Sequence, residues 1–364
     1  MSFTHATDGP IVLVGGSGVV GRALAPLLGR LESREIVVAG RTEANAAPVI
    51  ESVRTLGRDA RFVLYTIGEE RGHRLPASVV VGLVNDPCDH LLESAYFSGV
   101  PFVDITRWTT RMLGAWARVA LAKPRSAVVF SSGWMAGLLA RTTAALAGEL
   151  AEPLADVQGA IRYALSDASG ADSVEYMDRL WIPFDVWDQG RPKTVMPFTE
   201  KRSVSIAGQP TVVRRFDTPE QFTLPLTLGA ETAAVRIGFD SGAAGATLAA
   251  LVRMGFFRWL RADRFSKLRH AILRTPGAER RSGTRACFRV DVRGRSGARR
   301  SISLSSEAGQ AALTAVGTWL SVRWVLNEST LTGAQFPEQD TANHSLRGLL
   351  SRAGVQISRE SVGP

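Results

Sequence analysis

Residues 11–24 read IVLVGGSGVVGRAL, and this stretch decides the fold. An apolar run suited to a strand buried on both faces meets a glycine-rich turn, and a helix-forming segment follows. Gly16, Gly18 and Gly21 give the spacing G-x-G-x-x-G directly after the strand and at the opening of the helix. In that setting Gly16 allows the tight turn and Gly18 lets a pyrophosphate approach the backbone. Gly21 permits close packing of helix on strand. The helix start then offers unpaired N–H groups and a positive dipole end to an anion.

Working outward, strand-like segments recur at 35–39, 60–66, 78–84, 101–104 and 126–130, with helical patterns at 19–29, 42–56, 87–98 and 110–122. Strand and helix alternating in this way predict an α/β fold, a Rossmann-type doubly wound parallel sheet. The segment 69–74 is too polar and short for a helix. The second strand ends in VVAGRT, where a site selective for NAD wants an acidic residue for the ribose 2′-hydroxyl. Arg41 and Thr42 stand there instead. A guanidinium matches a 2′-phosphate with forked hydrogen bonds, so NADPH is favoured over NADH.

After residue 131 the pattern changes. Strands are expected at 156–165, 203–206, 211–216, 233–239, 285–293 and 300–304, and a long helix at 307–326. The expected organisation is a Rossmann domain over 1–131 and a second α+β domain with a mixed sheet over 132–335. A C-terminal helix and strand over 336–364 are expected to return to the first domain.

In open α/β sheets ligands sit outside the carboxyl ends of the strands. That rule selects Asn85 and Asp86, then Asp104 to Arg107, then Ser131 to Gly133. Asn85 is a candidate for the nicotinamide ribose or carboxamide. Asp104 is a candidate to orient a substrate amine or relay a proton. For Asp86 and Thr106, turn and helix-cap roles compete with any functional one.

Four pieces carry a resemblance to the saccharopine reductase-like (saccharopine dehydrogenase-like) family of NAD(P)-dependent oxidoreductases: GGSGVVGRAL, VVAGRT, VVGLVNDPCDHLLESAYFSGVPFVDIT and FSSGWMAGLLA. The last resembles the family's crossover into the second domain, with Ala136 where proline is usual. RTPGAERRSGTRACFRVDVRG and LTGAQFPEQ are similar to segments of the reductase-like branch, which includes enoyl reductases acting in trans on polyketide chains. The resemblance implies that Gly16, Ser17, Gly18, Val19 and Val20 hold the pyrophosphate. It puts Arg41 and Thr42 at the adenosine ribose, and Asn85 and Asp104 near the nicotinamide. It also implies a substrate cleft between the domains and a homodimer formed through the second domain's sheet.

Hydride transfer to an imine needs a positioned acceptor carbon and one managed proton. Candidates for that proton lie in GADSVEYMDR: Asp172, Glu175, Tyr176 and Asp178, of which Tyr176 is preferred because a phenol can pass a proton without being stranded as a buried charge. Arg179 is a candidate clamp for a substrate carboxylate, and Arg107, Trp134 and Asp172 are further candidate substrate contacts. The expected activity is NADPH-dependent reduction of a carbon–nitrogen double bond in a small amino-acid-derived or carrier-tethered substrate. Trans-acting enoyl reduction on a lipid or polyketide chain, and redox sensing without turnover, are the alternatives.

The chain's 364 residues carry a net charge of +9, unevenly spread. Between residues 251 and 305 fifteen basic side chains face three acidic ones, so the rest of the chain is slightly acidic. Residues 247–274 read as an amphipathic helix with an arginine-rich face. That face suits an anionic partner, such as an acidic carrier protein or a CoA-type substrate, ahead of an anionic membrane surface. No nucleic-acid-binding motif accompanies it. Cys88 and Cys287 lie in no metal-ligand spacing, no metal-ligand cluster presents itself, and the thiols fit a reducing compartment. The start of the sequence has no basic segment leading into an apolar run, and no apolar stretch approaches the roughly 20 residues of a membrane span. A soluble, cytoplasmic protein is expected.

Overall fold

The computed structural model describes residues 2–69, 74–164, 179–260 and 285–359. The chain divides into two compact units. One comprises Met1–Leu138 with Thr314–Ala342, the other Leu139–Leu313 with Asn343–Pro364.

The first unit holds a seven-stranded, all-parallel sheet. Its strands are β2 (Ile11–Val14), β3 (Ile36–Gly40), β4 (Ala60–Leu64), β6 (Val79–Gly82), β7 (Phe102–Asp104), β8 (Ala127–Phe130) and β17 (Gly333–Gln335). The spatial order is β17-β8-β7-β6-β2-β3-β4. Six of these strands lie where the apolar runs predict them. The inner runs IVLV, VVVG and AVVF are wholly buried, which is why they lack a polar alternate. Helices α1 (Val19–Leu31), α2 (Glu43–Arg54), α3 (His90–Phe97) and α4 (Thr109–Ala122) connect them. Order reverses between β2 and β6, so the crevice of this sheet lies beyond the carboxyl ends of those two strands.

Two features depart from expectation. The opening residues form β1 (Ser2–His5), paired in parallel with β5 (Arg74–Ala77), because Phe3 is buried and stacks on Tyr65 at 5.8 Å. The seventh strand, β17, has only the residues GAQ, too short and too weakly apolar to signal a strand; it is held by backbone pairing to β8.

The second unit is built on a nine-stranded mixed sheet. Its path is β11 (Arg191–Val195), β10 (Phe184–Asp188), β14 (Ala233–Phe239), β9 (Leu154–Tyr163), β15 (Ala286–Gly294), β16 (Arg299–Ser306) and β18 (Gln356–Arg359). The hairpin β12 (Arg202–Ile206) and β13 (Gln209–Arg215) attaches through β13 to β14. Ile206 and Val213 of that hairpin pack on Ala160 and Cys287. Among the described residues of this sheet only β9 and β14 pair in parallel, and the other neighbours are antiparallel.

The tail corrects an expectation. Residues 346–352 form a helix and 356–359 a strand, as predicted, but β18 pairs with β16 of the second sheet and does not return to the first. The segment that returns is Thr314–Ala342. The long amphipathic helix expected at 247–274 is also interrupted. A helix ends at Arg253, Gly255 takes a φ of +73°, and a short helix resumes at Phe256–Leu260. Residues 261–274 lie outside the described residues.

Candidate active site

The opening turn is built from backbone. Gly15 leaves β2 with a φ of +82°, and its N–H donates to the Ala39 carbonyl at 2.9 Å. The residue in the left-handed region is therefore Gly15, one place before the glycine to which the motif assigns the tight turn. The Gly16 N–H donates to Leu13 O (3.3 Å) and the Gly18 N–H to Gly15 O (3.0 Å). Arg22 closes the loop from the helix, its Nε donating to Ser17 O at 3.0 Å.

A Cβ on Gly21 would lie 2.0 Å from Gly16 O, so the helix rests directly on the turn's own backbone. A Cβ on Gly15 would come within 3.0 Å of the Val84 Cβ, so the loops after β2 and β6 touch where the strand order reverses. Gly18 is exposed and is the N-cap of α1, which has no side-chain cap and no acidic residue in its first turn. Ser17, Val19 and Val20 are half-buried around it. A bare helix start beside a glycine turn is what a pyrophosphate requires. The residues present fit a dinucleotide.

At the end of β3, Arg41 and Thr42 are exposed. Thr42 is the N-cap of α2 without a side-chain cap bond, and Arg41 makes no hydrogen bond or ion pair among the described residues.

The residues past β6 and β7 are tied into a polar network. The Asp86 carboxylate accepts from Leu91 N (2.6 Å) and Cys88 N (3.3 Å), a cap on the start of α3. Asn85 Oδ1 accepts from Arg111. Asp104 and Arg107, both buried, form an ion pair, and Arg107 also reaches Asp89. Burial opposes the Arg107 charge, but Asp104 and Asp89 outweigh it and hold the guanidinium above its ordinary range. Arg111 and Arg118 complete the coordination of Asp89 at 3.2 and 3.0 Å. Asp104, the candidate to orient a substrate amine or relay a proton, and Arg107, a candidate substrate contact, are thus bonded to each other. Both brace the 104–107 loop. Arg111 and Asp89 went unnoticed in the sequence because they lie in α4 and just before α3, and only the fold brings them together with Arg107.

Nearby, Tyr65 follows β4, and burial reinforced by Asp86 pushes its phenol up to about 12, so it stays protonated. Beyond β8, Ser132 Oγ donates to Asp104 O at 3.2 Å and the Ser131 and Ser321 hydroxyls lie 2.7 Å apart. Trp134 follows, half-buried. In the second unit Arg179 pairs with Asp217 at 3.5 Å. Tyr176, Asp172, Glu175 and Asp178 lie outside the described residues. Among the described residues no helix is long and apolar enough to cross a membrane.

No family model matches this chain, and no curated protein matches it in sequence. Solved structures do match. Saccharopine dehydrogenase (L-Glu forming) from Saccharomyces cerevisiae is similar over 98% of this chain and 100% of its own, with a TM-score of 0.64 and 14% identity. A meso-DAPDH mutant from Clostridium tetani E88 matches over 91% of this chain and 94% of its own (TM-score 0.43, 12% identity). Myo-inositol dehydrogenase from Lactobacillus casei, in complex with NAD(H) and myo-inositol, matches over 100% and 98% (TM-score 0.42, 10% identity). The parallel sheet, the second mixed sheet and the full-length match agree: this chain has the fold of saccharopine dehydrogenase.

Proposed function

We propose that this protein is an NADPH-dependent oxidoreductase that reduces the carbon–nitrogen double bond of a small amino-acid-derived or carrier-tethered substrate. The observation that carries the cofactor half is the bare start of α1 over a turn in which Gly21 has no room for a Cβ. The substrate half is supported by the fold shared with saccharopine dehydrogenase.

In this reading the N–H groups at Val19 and Val20 hold the pyrophosphate, with Gly16, Ser17 and Gly18 forming the wall of the turn. Arg41 pairs with the 2′-phosphate, and Thr42 contacts the ribose. Asn85, steadied by Arg111, stands on the nicotinamide side of the crevice. The bound nicotinamide supplies a hydride. Asp104 acts as a positioning residue through Arg107, and Tyr176 delivers the proton an imine nitrogen needs. Arg179 and Trp134 meet the substrate. The protein works as a homodimer, which light scattering of the purified chain checks.

Calorimetry with NADPH and NADH tests the cofactor assignment. Arg41→Asp should weaken NADPH at least tenfold more than NADH, and equal losses for both would refute the 2′-phosphate contact. Oxidation of NADPH with a panel of cyclic and acyclic imines tests the chemistry. Turnover with enoyl thioesters alone replaces the substrate class, and tight binding without oxidation on either panel removes the enzyme reading.

A further inference from the structure

The second unit contains a cleft of about 800 Å³ lined by its own residues. Six basic and four acidic side chains line it. Lys193 and Arg295 have acidic partners of their own, Asp188 at 2.8 Å and Glu231 at 2.6 Å. The unbalanced part is a cluster of three guanidiniums, Arg202, Arg215 and Arg236, with the single carboxylate of Glu200.

Arg215 and Arg236 stand directly opposite each other across β13 and β14. Like charges in that position repel, and here both side chains are also buried, 6% and 3% exposed. One oxygen, Glu200 Oε2, serves both, at 2.6 Å from Arg215 and 3.0 Å from Arg236. The Nε of each of these two arginines is buried and has no hydrogen-bond partner among the described residues. Arg202 is exposed and, among the described residues, donates to the amide oxygen of Gln158 at 3.3 Å. Burial, followed by the charges of Arg215 and Arg202, pushes Arg236 down to about 10 despite Glu200.

The fold also strains itself to hold that counter-ion. Phe198 and Glu200 both take left-handed backbone angles, with φ of +58° and +49°, in a turn locked to β13 by bonds between Phe198 and Arg215 and between Arg215 and Thr199. Such angles cost non-glycine residues energy and persist where the surroundings impose them. Two repelling buried cations, one strained carboxylate and an open cleft form a site short of negative charge. Trp187 lines the same cleft and offers a flat apolar face beside it.

We propose that this cleft binds an organic phosphate, its phosphoryl oxygens on Arg202, Arg215 and Arg236 beside Glu200 and its organic part against Trp187. Guanidinium forks match phosphoryl oxygens, and a second anion relieves the repulsion that Glu200 alone leaves.

Calorimetry with phenyl phosphate, inorganic phosphate and phenol tests it. Phenyl phosphate should bind one per chain, inorganic phosphate more weakly, and phenol not at all. Arg202→Gln, at an exposed position, should weaken both phosphates about five-fold or more. Trp187→Ala should weaken phenyl phosphate but not inorganic phosphate. Glu200→Gln, which leaves two buried cations short of a counter-ion, should gain more in melting temperature from added phosphate than the wild type does. Should that variant fail to fold, Arg202→Gln and Trp187→Ala decide alone. Absence of phosphate binding at millimolar concentration overturns the proposal. So does binding unchanged in Arg202→Gln, or binding lost in Gly21→Ala, which would put the phosphate in the dinucleotide turn.

Discussion

At Gly21 the space for a side chain does not exist, since the carbonyl oxygen of Gly16 occupies it at 2.0 Å. Gly21→Ala should push the helix off the turn, lowering stability by about 2 kcal/mol and, on the proposed function, dinucleotide affinity by about a hundredfold. Urea unfolding and calorimetry read the two effects separately. Glu200 gives a second residue-scale expectation. Burial raises its carboxyl, but Arg215 and then Arg236 outweigh this and hold it below its ordinary 4.5. A carboxylate depressed in the folded state stabilises above its unfolded value, and that contribution disappears as pH falls through the folded one. The melting-temperature gap between wild type and Glu200→Gln should therefore be full at pH 7 and close progressively below pH 4.5. A gap unchanged at pH 3 would contradict the pairing. Motif spacing made the glycine turn legible in the sequence. It did not show that Gly15 takes the left-handed angle, because the adjacent Gly15 and Gly16 can both adopt it. Nor did it show that Arg107 is shared between Asp104 and Asp89, because Asp89 approaches it from a separate loop.

At the scale of elements, the helix starting at Trp134 contains three consecutive left-handed residues, Met135, Ala136 and Gly137. Here the resemblance expects proline at 136, and the φ of +53° excludes it, since the proline ring fixes φ near −65°. The turn is held by close approaches on either side. A Cβ on Gly137 would collide with the Pro337 ring at 2.4 Å, and one on Gly317 with Met135 O at 2.2 Å. Gly317→Ala should cost about 2–3 kcal/mol in thermal or urea unfolding, the usual range for forcing extra volume into a packed site. Ala136→Gly should instead raise the melting point, because relieving a left-handed alanine returns about 1 kcal/mol. Strands buried on both faces announced themselves as apolar runs. Strand β17 did not, because a three-residue edge strand held by backbone bonds needs no particular side chains. The hairpin partners β10 and β11 were missed for a related reason: most of β11 is exposed, and RPKT carries no apolar alternation.

For the whole molecule, the division of the tail matters most. Residues up to Ala342 complete the first unit, and those after it belong to the second. Removing residues 355–364 should take β18 from the edge of the mixed sheet and lower the melting point of that unit while leaving the proposed dinucleotide binding unchanged. Removing residues 332–364 should also strip β17 from β8 and impair cofactor binding. Equal affinity in the two truncations would contradict this partition. Composition indicated two domains but not how the chain is shared between them, because the return depends on pairing between segments far apart in sequence.

That sharing has a consequence for synthesis. The edge of β8 is ready for a neighbour once Phe130 has left the ribosome, but the neighbour, Gly333–Gln335, lies about 200 residues further on, roughly 10–40 s of translation. Throughout that interval the nascent sheet presents an unpaired edge while the whole intervening unit is being made. Mutations that slow elongation or delay the intervening unit should therefore appear as lost soluble yield, even where the finished protein is as stable as before.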